Sequence, residues 1–204
     1  MDDLNKALGD ISSIRRQVAR STEFRGYGPA TMAATSVFAI AAACIQANWL
    51  RDPRANLSSY LGIWILTAIV SAGLIGVQTV TRSHRMHSGM ADEMIRMAVE
   101  QFLPSAAAGV LMTLVLVSAA PSVLWMLPGL WQVIFGLGVF SSCRFLPRPM
   151  MIAGAWYLAS GLVCVSLGGA RALSPWAMGV PFGAGQMLVA AILYFTAEEE
   201  SDDI

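Results

Sequence analysis

Long apolar runs separated by short polar stretches dominate the chain. An α-helix needs about 20 apolar residues to cross the hydrocarbon of a bilayer. Runs of that length cover residues 29–50, 60–81, 149–167 and 175–195. A further apolar block, 104–140, is too long for one helix. Its only central break is AAPS at 119–122, so it divides into two short spans. The pattern predicts an all-α, polytopic membrane helix bundle with about six transmembrane helices. Pro29 is well placed to open the first, where a missing N–H costs nothing.

Two polar segments carry a different period. In residues 2–20, Leu4, Leu8, Ile11, Ile14 and Val18 recur at spacings of three and four, with Asp3, Lys6, Asp10 and Arg16 elsewhere on the wheel. In residues 82–103, Met86, His87, Met90, Met94, Met97 and Ala98 share one face, and Arg82, Arg85, Asp92, Glu93, Arg96 and Glu100 share another. Both read as amphipathic helices, too polar to span. Because Pro104 restricts the residue before it, the second is expected to turn at Leu103 and lie back on the bundle. The domain plan is an amphipathic N-terminal helix in 1–25, a six-helix transmembrane domain in 26–197 that includes the amphipathic helix 82–103, and an acidic tail in 198–204.

Charge orients these spans. Lys and Arg are retained on the cytoplasmic side in short loops. The N-terminal segment and the second and fourth connections together hold ten of them, against three (Arg51, Arg54 and Arg171) on the opposite side. Both termini and the two amphipathic helices are therefore expected to be cytoplasmic, in a cell (inner or plasma) membrane. Trp49, Tyr60, Trp125 and Trp176 fall at the expected outer interface, as an aromatic belt would.

Composition agrees with this picture. The chain is 56% hydrophobic and 13% charged, about half the charge of an ordinary soluble domain. Equal numbers of acidic and basic residues, with no basic run, argue against nucleic acid as a partner. Three cysteines without CxxC make neither a disulfide framework nor a zinc site. The charged N-terminus lacks the apolar core of a signal peptide, so the first span is expected to direct insertion.

No Asp, Glu, Lys, Arg or His falls in the middle of a predicted span. Such groups mark proton relays and ion paths, so a pump, a proton-coupled transporter or a membrane-embedded acid–base enzyme is disfavoured. Gln46, Thr67, Ser71, Gln78, Gln132 and Gln186 are the intramembrane polar residues, read first as interhelical hydrogen-bonding groups. Phe135-Gly136-Leu137-Gly138 and Phe182-Gly183-Ala184-Gly185 repeat at an offset of 47 residues. The hairpin of spans three and four is a candidate repeat of that of five and six, against the plainer reading that glycine is common in membrane helices. Gln132, Gly136, Gly138, Gly183, Gly185 and Gln186 form the candidate intramembrane pocket or packing site, through which the fourth and sixth spans are expected to bend and pack. Pro128 and Pro181 supply the bends. Ala68, Ala72 and Gly76 form one small-residue stripe, and Gly179 with Gly183 a GxxxG. His87, Met90 and Met94 are spaced to offer Cu(I) soft ligands, against the plainer reading that methionine fills an irregular apolar surface. No catalytic residue and no cofactor is indicated.

The segment IRRQVARSTEFRGYG, with Ile14, Arg15, Arg20, Ser21, Thr22 and Phe24, resembles the start of a family of bacterial six-helix integral membrane proteins of about this length. The segment PFGAGQMLVAAILY resembles that family's close, with Gln186 where the family often has His, so histidine chemistry is not carried over. The family has no established activity, and the resemblance implies the topology alone. The leading expectation is a non-enzymatic membrane protein acting by association, as a homo-oligomer or with a membrane or cytoplasmic partner through the amphipathic helices, such as a sensor or regulatory subunit. The alternatives are a channel or carrier for small neutral or lipophilic solutes, and Cu(I) handling at the Met/His face.

Overall fold

A computed structural model describes the backbone of residues 28–85, 89–143 and 146–202, and side chains throughout these except at 82–98, 197 and 199–202. Every regular element in the described residues is helical. The helices are α1 Pro29–Trp49, α2 Leu57–Arg85, α3 Gly89–Ala119, α4 Leu127–Ser142 preceded by the 3-10 turn Pro121–Met126, α5 Met150–Leu167, the short α6 Gly169–Ala172, and α7 Pro175–Asp202. Among the described residues, six segments are long and apolar enough to cross a membrane: Pro29–Trp49, Leu57–Thr81, Val99–Ala119, Pro121–Ser142, Met150–Leu167 and Gly169–Thr196.

Local chemistry sets the breaks. The Asp52 carboxylate accepts from the N–H groups of Arg54 (3.0 Å) and Ala55 (3.3 Å), turning the chain between α1 and α2. A single residue, Ala120, separates α3 from the 3-10 turn at Pro121, because a residue before proline is pushed out of the helical region. Pro128 cannot donate to Leu124, so the fourth span starts as a 3-10 turn in which the Leu127 N–H bonds Leu124 O, and becomes α-helical from there. Gly168 and Gly169, at φ +65° and +53°, end α5 and redirect the chain in a conformation costly for any residue with a Cβ.

The second polar segment differs from expectation. Helix α3 runs from Gly89 through Pro104 to Ala119 without a turn at Leu103. Residues 89–98 are thus the first turns of the third span's helix and not a separate one. Proline removes one bond, to the carbonyl four residues back. That carbonyl, of Glu100, lies at the edge of the apolar segment Val99–Ala119, within reach of headgroups and water, so the helix continues. The N-terminal amphipathic segment 2–20 and His87 lie outside the described residues.

The six spans follow one another around the bundle in chain order. The tightest pairs are α4 with α5 and α7 with α1, α3 flanks α4, α2 flanks α1, α5 meets α7, and α2 and α3 touch least. Two apolar clusters close the two ends. Ala42, Ala43, Tyr60, Trp64, Leu173 and Met178 form one, and Met32, Met150, Ala190 and Leu193 the other. Tyr60, expected in the interfacial belt, is fully buried in the first cluster, whereas Trp49 and Trp176 are exposed. No residue in the membrane segment of α3 is buried and few are in that of α2, so within their spans both helices are left largely uncovered by the rest of the described chain.

Candidate functional site

The tight pairs are built on glycine. On α4 and α5, Gly129 faces Gly161 and Gly136 faces Gly154, two positions seven residues apart on each of two antiparallel helices. A Cβ on Gly129 would stand 2.6 Å from Gly161 O, one on Gly161 2.6 Å from Gly129 O, and one on Gly136 3.0 Å from Gly154 O. Backbones therefore touch directly, as small residues permit in membrane helices. Between α7 and α1, Gly179 lies against Ala43 and Gly183 against Ile40, whose Cδ1 would be 2.6 Å from an added Cβ.

The four motif glycines serve different neighbours. Gly136 faces α5, Gly138 faces Phe102 and Ser105 of α3, Gly183 faces α1, and Gly185 faces the ring of Tyr157 on α5. They do not clamp the fourth span onto the sixth. The two motif phenylalanines meet instead. Phe135 and Phe182 pack edge to face with centroids 5.6 Å apart, and Tyr157 packs on both, at 4.7 Å and 5.2 Å. Phe102 extends the group at 5.4 Å from Phe135. Tyr157 thus fills the centre of the bundle from α5.

Side-chain amides hold the bundle across this centre. Pro181 lies inside α7 and has no N–H, which leaves Ala177 O without its intrahelical donor. Gln132 Nε2 donates to that carbonyl at 2.8 Å. Further along α7, Trp156 Nε1 donates to Pro181 O (2.9 Å) and Ser36 Oγ to Gly183 O (2.7 Å). Gln46 Nε2 donates to Leu173 O (2.8 Å) while its Oε1 accepts from Trp64 Nε1 (2.8 Å), tying α1, α2 and the link between α6 and α7. At the opposite end, Gln78 Oε1 accepts from Gly28 N–H (3.2 Å). Thr67 bonds back to Ile63 O in its own helix. The carbonyl that a kinked helix would offer to a cavity is here occupied by protein.

Among the described residues, Tyr60 Oη and Gln132 Oε1 are buried without a hydrogen-bond partner, and the buried Tyr157 Oη and Gln186 Oε1 make no bond of good geometry. Tyr60, Gln132 and Tyr157 are fully buried, and Gln186 partly so. The stripe on α2 behaves differently again. Ala68 and Ala72 are exposed, and an added Cβ on Gly76 or on neighbouring Gly73 would meet nothing within 4 Å.

The remaining candidates show little reactive chemistry. All three cysteines are free; Cys44 faces outward, and the buried Cys164 Sγ lies 3.7 Å from Ala172 O. Burial pushes the Cys143 thiol up from its ordinary value, away from a reactive thiolate. Among the described residues no group of three or more His, Cys, Asp or Glu could hold a metal ion. The side chains of Met90 and Met94 lie outside those described.

Sequence reasoning missed Gly129, Gly154, Gly161 and Tyr157. The seven-residue glycine spacing in two successive spans is a readable signal for the first three. Nothing local marks Tyr157. Six apolar helices of spanning length in an all-helical bundle define a polytopic membrane protein. The chain matches no protein-family model, no curated protein and no solved structure.

Proposed function

We propose that this is a non-enzymatic membrane protein that acts by association, with both termini cytoplasmic, and that α2 carries the contact within the membrane. One contrast supports the reading. Among the described residues, the glycines of α4, α5 and α7 are all covered by neighbouring helices, whereas Ala68, Ala72, Gly73 and Gly76 of α2 stay open. Small residues at four-residue spacing let a second helix approach closely in lipid, where packing and not hydrophobicity drives association. The filled centre around Gln132, Phe135, Tyr157 and Phe182 favours association over passage of a solute. A regulatory or sensory subunit fits these features, and the resemblance to bacterial six-span proteins is compatible with it.

The test is cross-linking in native membranes from a cysteine at Ala72, in a background without other cysteines, combined with purification in mild detergent and identification of what co-purifies. Association through α2 gives one discrete cross-linked product that Gly76→Leu abolishes while leaving expression unchanged. A protein that stays single in membranes, cross-links to nothing, and admits a small neutral solute into liposomes would replace this reading with that of a carrier.

A further inference from the structure

One end of the bundle carries cations without counter-charges. The connections that leave α1, α3 and α5 lie at this end, and together they contain Arg51, Arg54 and Arg171 against a single acid, Asp52. The Asp52 carboxylate is already engaged, accepting from the N–H groups of Arg54 and Ala55. Among the described residues, no hydrogen bond or ion pair engages the guanidinium of Arg51, Arg54 or Arg171. This is the end expected outside, where arginine in short loops is scarce. Two of the three arginines are brought together by the fold. Arg54 reaches out of the α1–α2 loop and lays its Nη2 over Gly169, in the place a side chain there would take. Gly169 opens the short helix α6, and Arg171 is two residues further along it. Cα atoms two apart in a helix are separated by about 5.4 Å, so one anion can lie within reach of both side chains. Trp49 and Trp176 are exposed at the same end, at the depth where indoles meet headgroups.

We propose that Arg54 and Arg171 bind the phosphate of a phospholipid headgroup, and prefer an anionic lipid such as phosphatidylglycerol to a zwitterionic one. A guanidinium holds two phosphate oxygens through parallel N–H bonds and keeps its charge throughout the physiological pH range. The phosphate rests on the surface between the α1–α2 loop and α6, so it needs no enclosed cavity. Both arginines are exposed there, and the exposed side chain of Leu167, at the end of α5, offers apolar surface to an acyl chain. A zwitterionic headgroup brings a cation of its own to a surface that already holds three against one carboxylate, which sets the preference. A soluble phosphate presents the same oxygens, but only a lipid is held at this depth. Bound in this way, the lipid ties the loop after α1 to the turn after α5. This inference is independent of association through α2.

The test uses the full chain, purified in dodecyl maltoside and stripped of lipid. Phosphatidylglycerol, phosphatidylcholine or inorganic phosphate is added back, and native mass spectrometry and the melting temperature are read. Phosphatidylglycerol should raise the melting temperature of the unaltered protein by several degrees, and phosphatidylcholine by less. The double variant Arg54→Gln, Arg171→Gln should retain one phosphatidylglycerol fewer in the mass spectrum and lose most of that rise. Its melting temperature without lipid should match the unaltered protein, because both side chains are exposed. Arg54→Gln alone should lose much of the rise, whereas Arg51→Gln, which removes the same charge from the same loop, should keep it. Equal losses in Arg51→Gln and Arg54→Gln would show attraction by diffuse charge and overturn the site. An undiminished rise with the full number of lipids in the double variant overturns it as well. If inorganic phosphate alone reproduces the rise, the ligand is a soluble anion and the lipid assignment fails. An equal rise with phosphatidylcholine overturns the preference for an anionic headgroup.

Discussion

Gln132 and Pro181 should be energetically coupled although they lie on different helices. Pro181→Ala returns an N–H that points at Ala177 O, the carbonyl Gln132 now serves at 2.8 Å. Gln132→Leu in the natural background strands that carbonyl in an apolar interior, at a cost of about 1–3 kcal/mol. It also removes the unpartnered Gln132 Oε1, which is favourable by a comparable amount, so the single variant's net change is small. In the Pro181→Ala background the second effect persists and the first vanishes. The difference between backgrounds therefore isolates the carbonyl. Hydrogen bonds between membrane helices average about 0.6 kcal/mol and reach about 1.7, so a coupling near 1 kcal/mol is expected. That exceeds the additivity scatter of about 0.3–0.5 kcal/mol and corresponds to about 2–4 °C in melting temperature for a chain of this size. Reversible unfolding of the four proteins in mixed dodecyl maltoside–SDS micelles, followed by circular dichroism, measures it. Additive effects in the cycle would refute the idea that Gln132 replaces the donor missing at Pro181.

Three further outcomes follow from the same geometry. Gly136→Leu forces α4 off the α5 backbone and Gly183→Leu drives into Ile40; each should destabilise by about 1–3 kcal/mol or more in micelle unfolding, whereas Gly73→Leu, with nothing within 4 Å, should leave monomer stability unchanged. Gln46→Leu strands both Leu173 O and Trp64 Nε1, while Trp64→Phe deletes only a donor, so melting curves should show Gln46→Leu as the more harmful, by about 1 kcal/mol or more; the reverse order would break the account of that end. A cysteine at Asn56 should react with an impermeant maleimide in intact cells and one at Ser201 should not, as the Lys/Arg distribution requires.

The number, length and order of the spans were legible in the sequence because bilayer thickness imposes a length that apolar runs must meet. The break at 119–122 was legible because Pro121 disfavours helix at the residue before it. Side-chain direction was not. In a helix apolar on every side, no polar face tells which residues point inward, and Tyr60 was assigned to the interface although it is fully buried. Gly136, Gly138, Gly183 and Gly185 lie at close contacts, each with a different neighbour, because which helices adjoin depends on contacts between residues far apart in the chain. Pro104 misled for a related reason. A proline rule weighs one lost bond, while the position of that bond along the membrane normal decides its cost.

The pairing of α1 with α7 has a consequence for biogenesis. Ser36 and Gly183, hydrogen-bonded at 2.7 Å, are 147 residues apart. Helix α1 therefore waits for α7 before the face at Ala39 and Ala43 that meets Gly179 is covered. Helices α4 and α5, adjacent in sequence and matched glycine to glycine, can assemble as soon as both are inserted. Synthesis thus allows the α4–α5 hairpin to pack early and leaves α1 with α2 as its described partner until α7 is made.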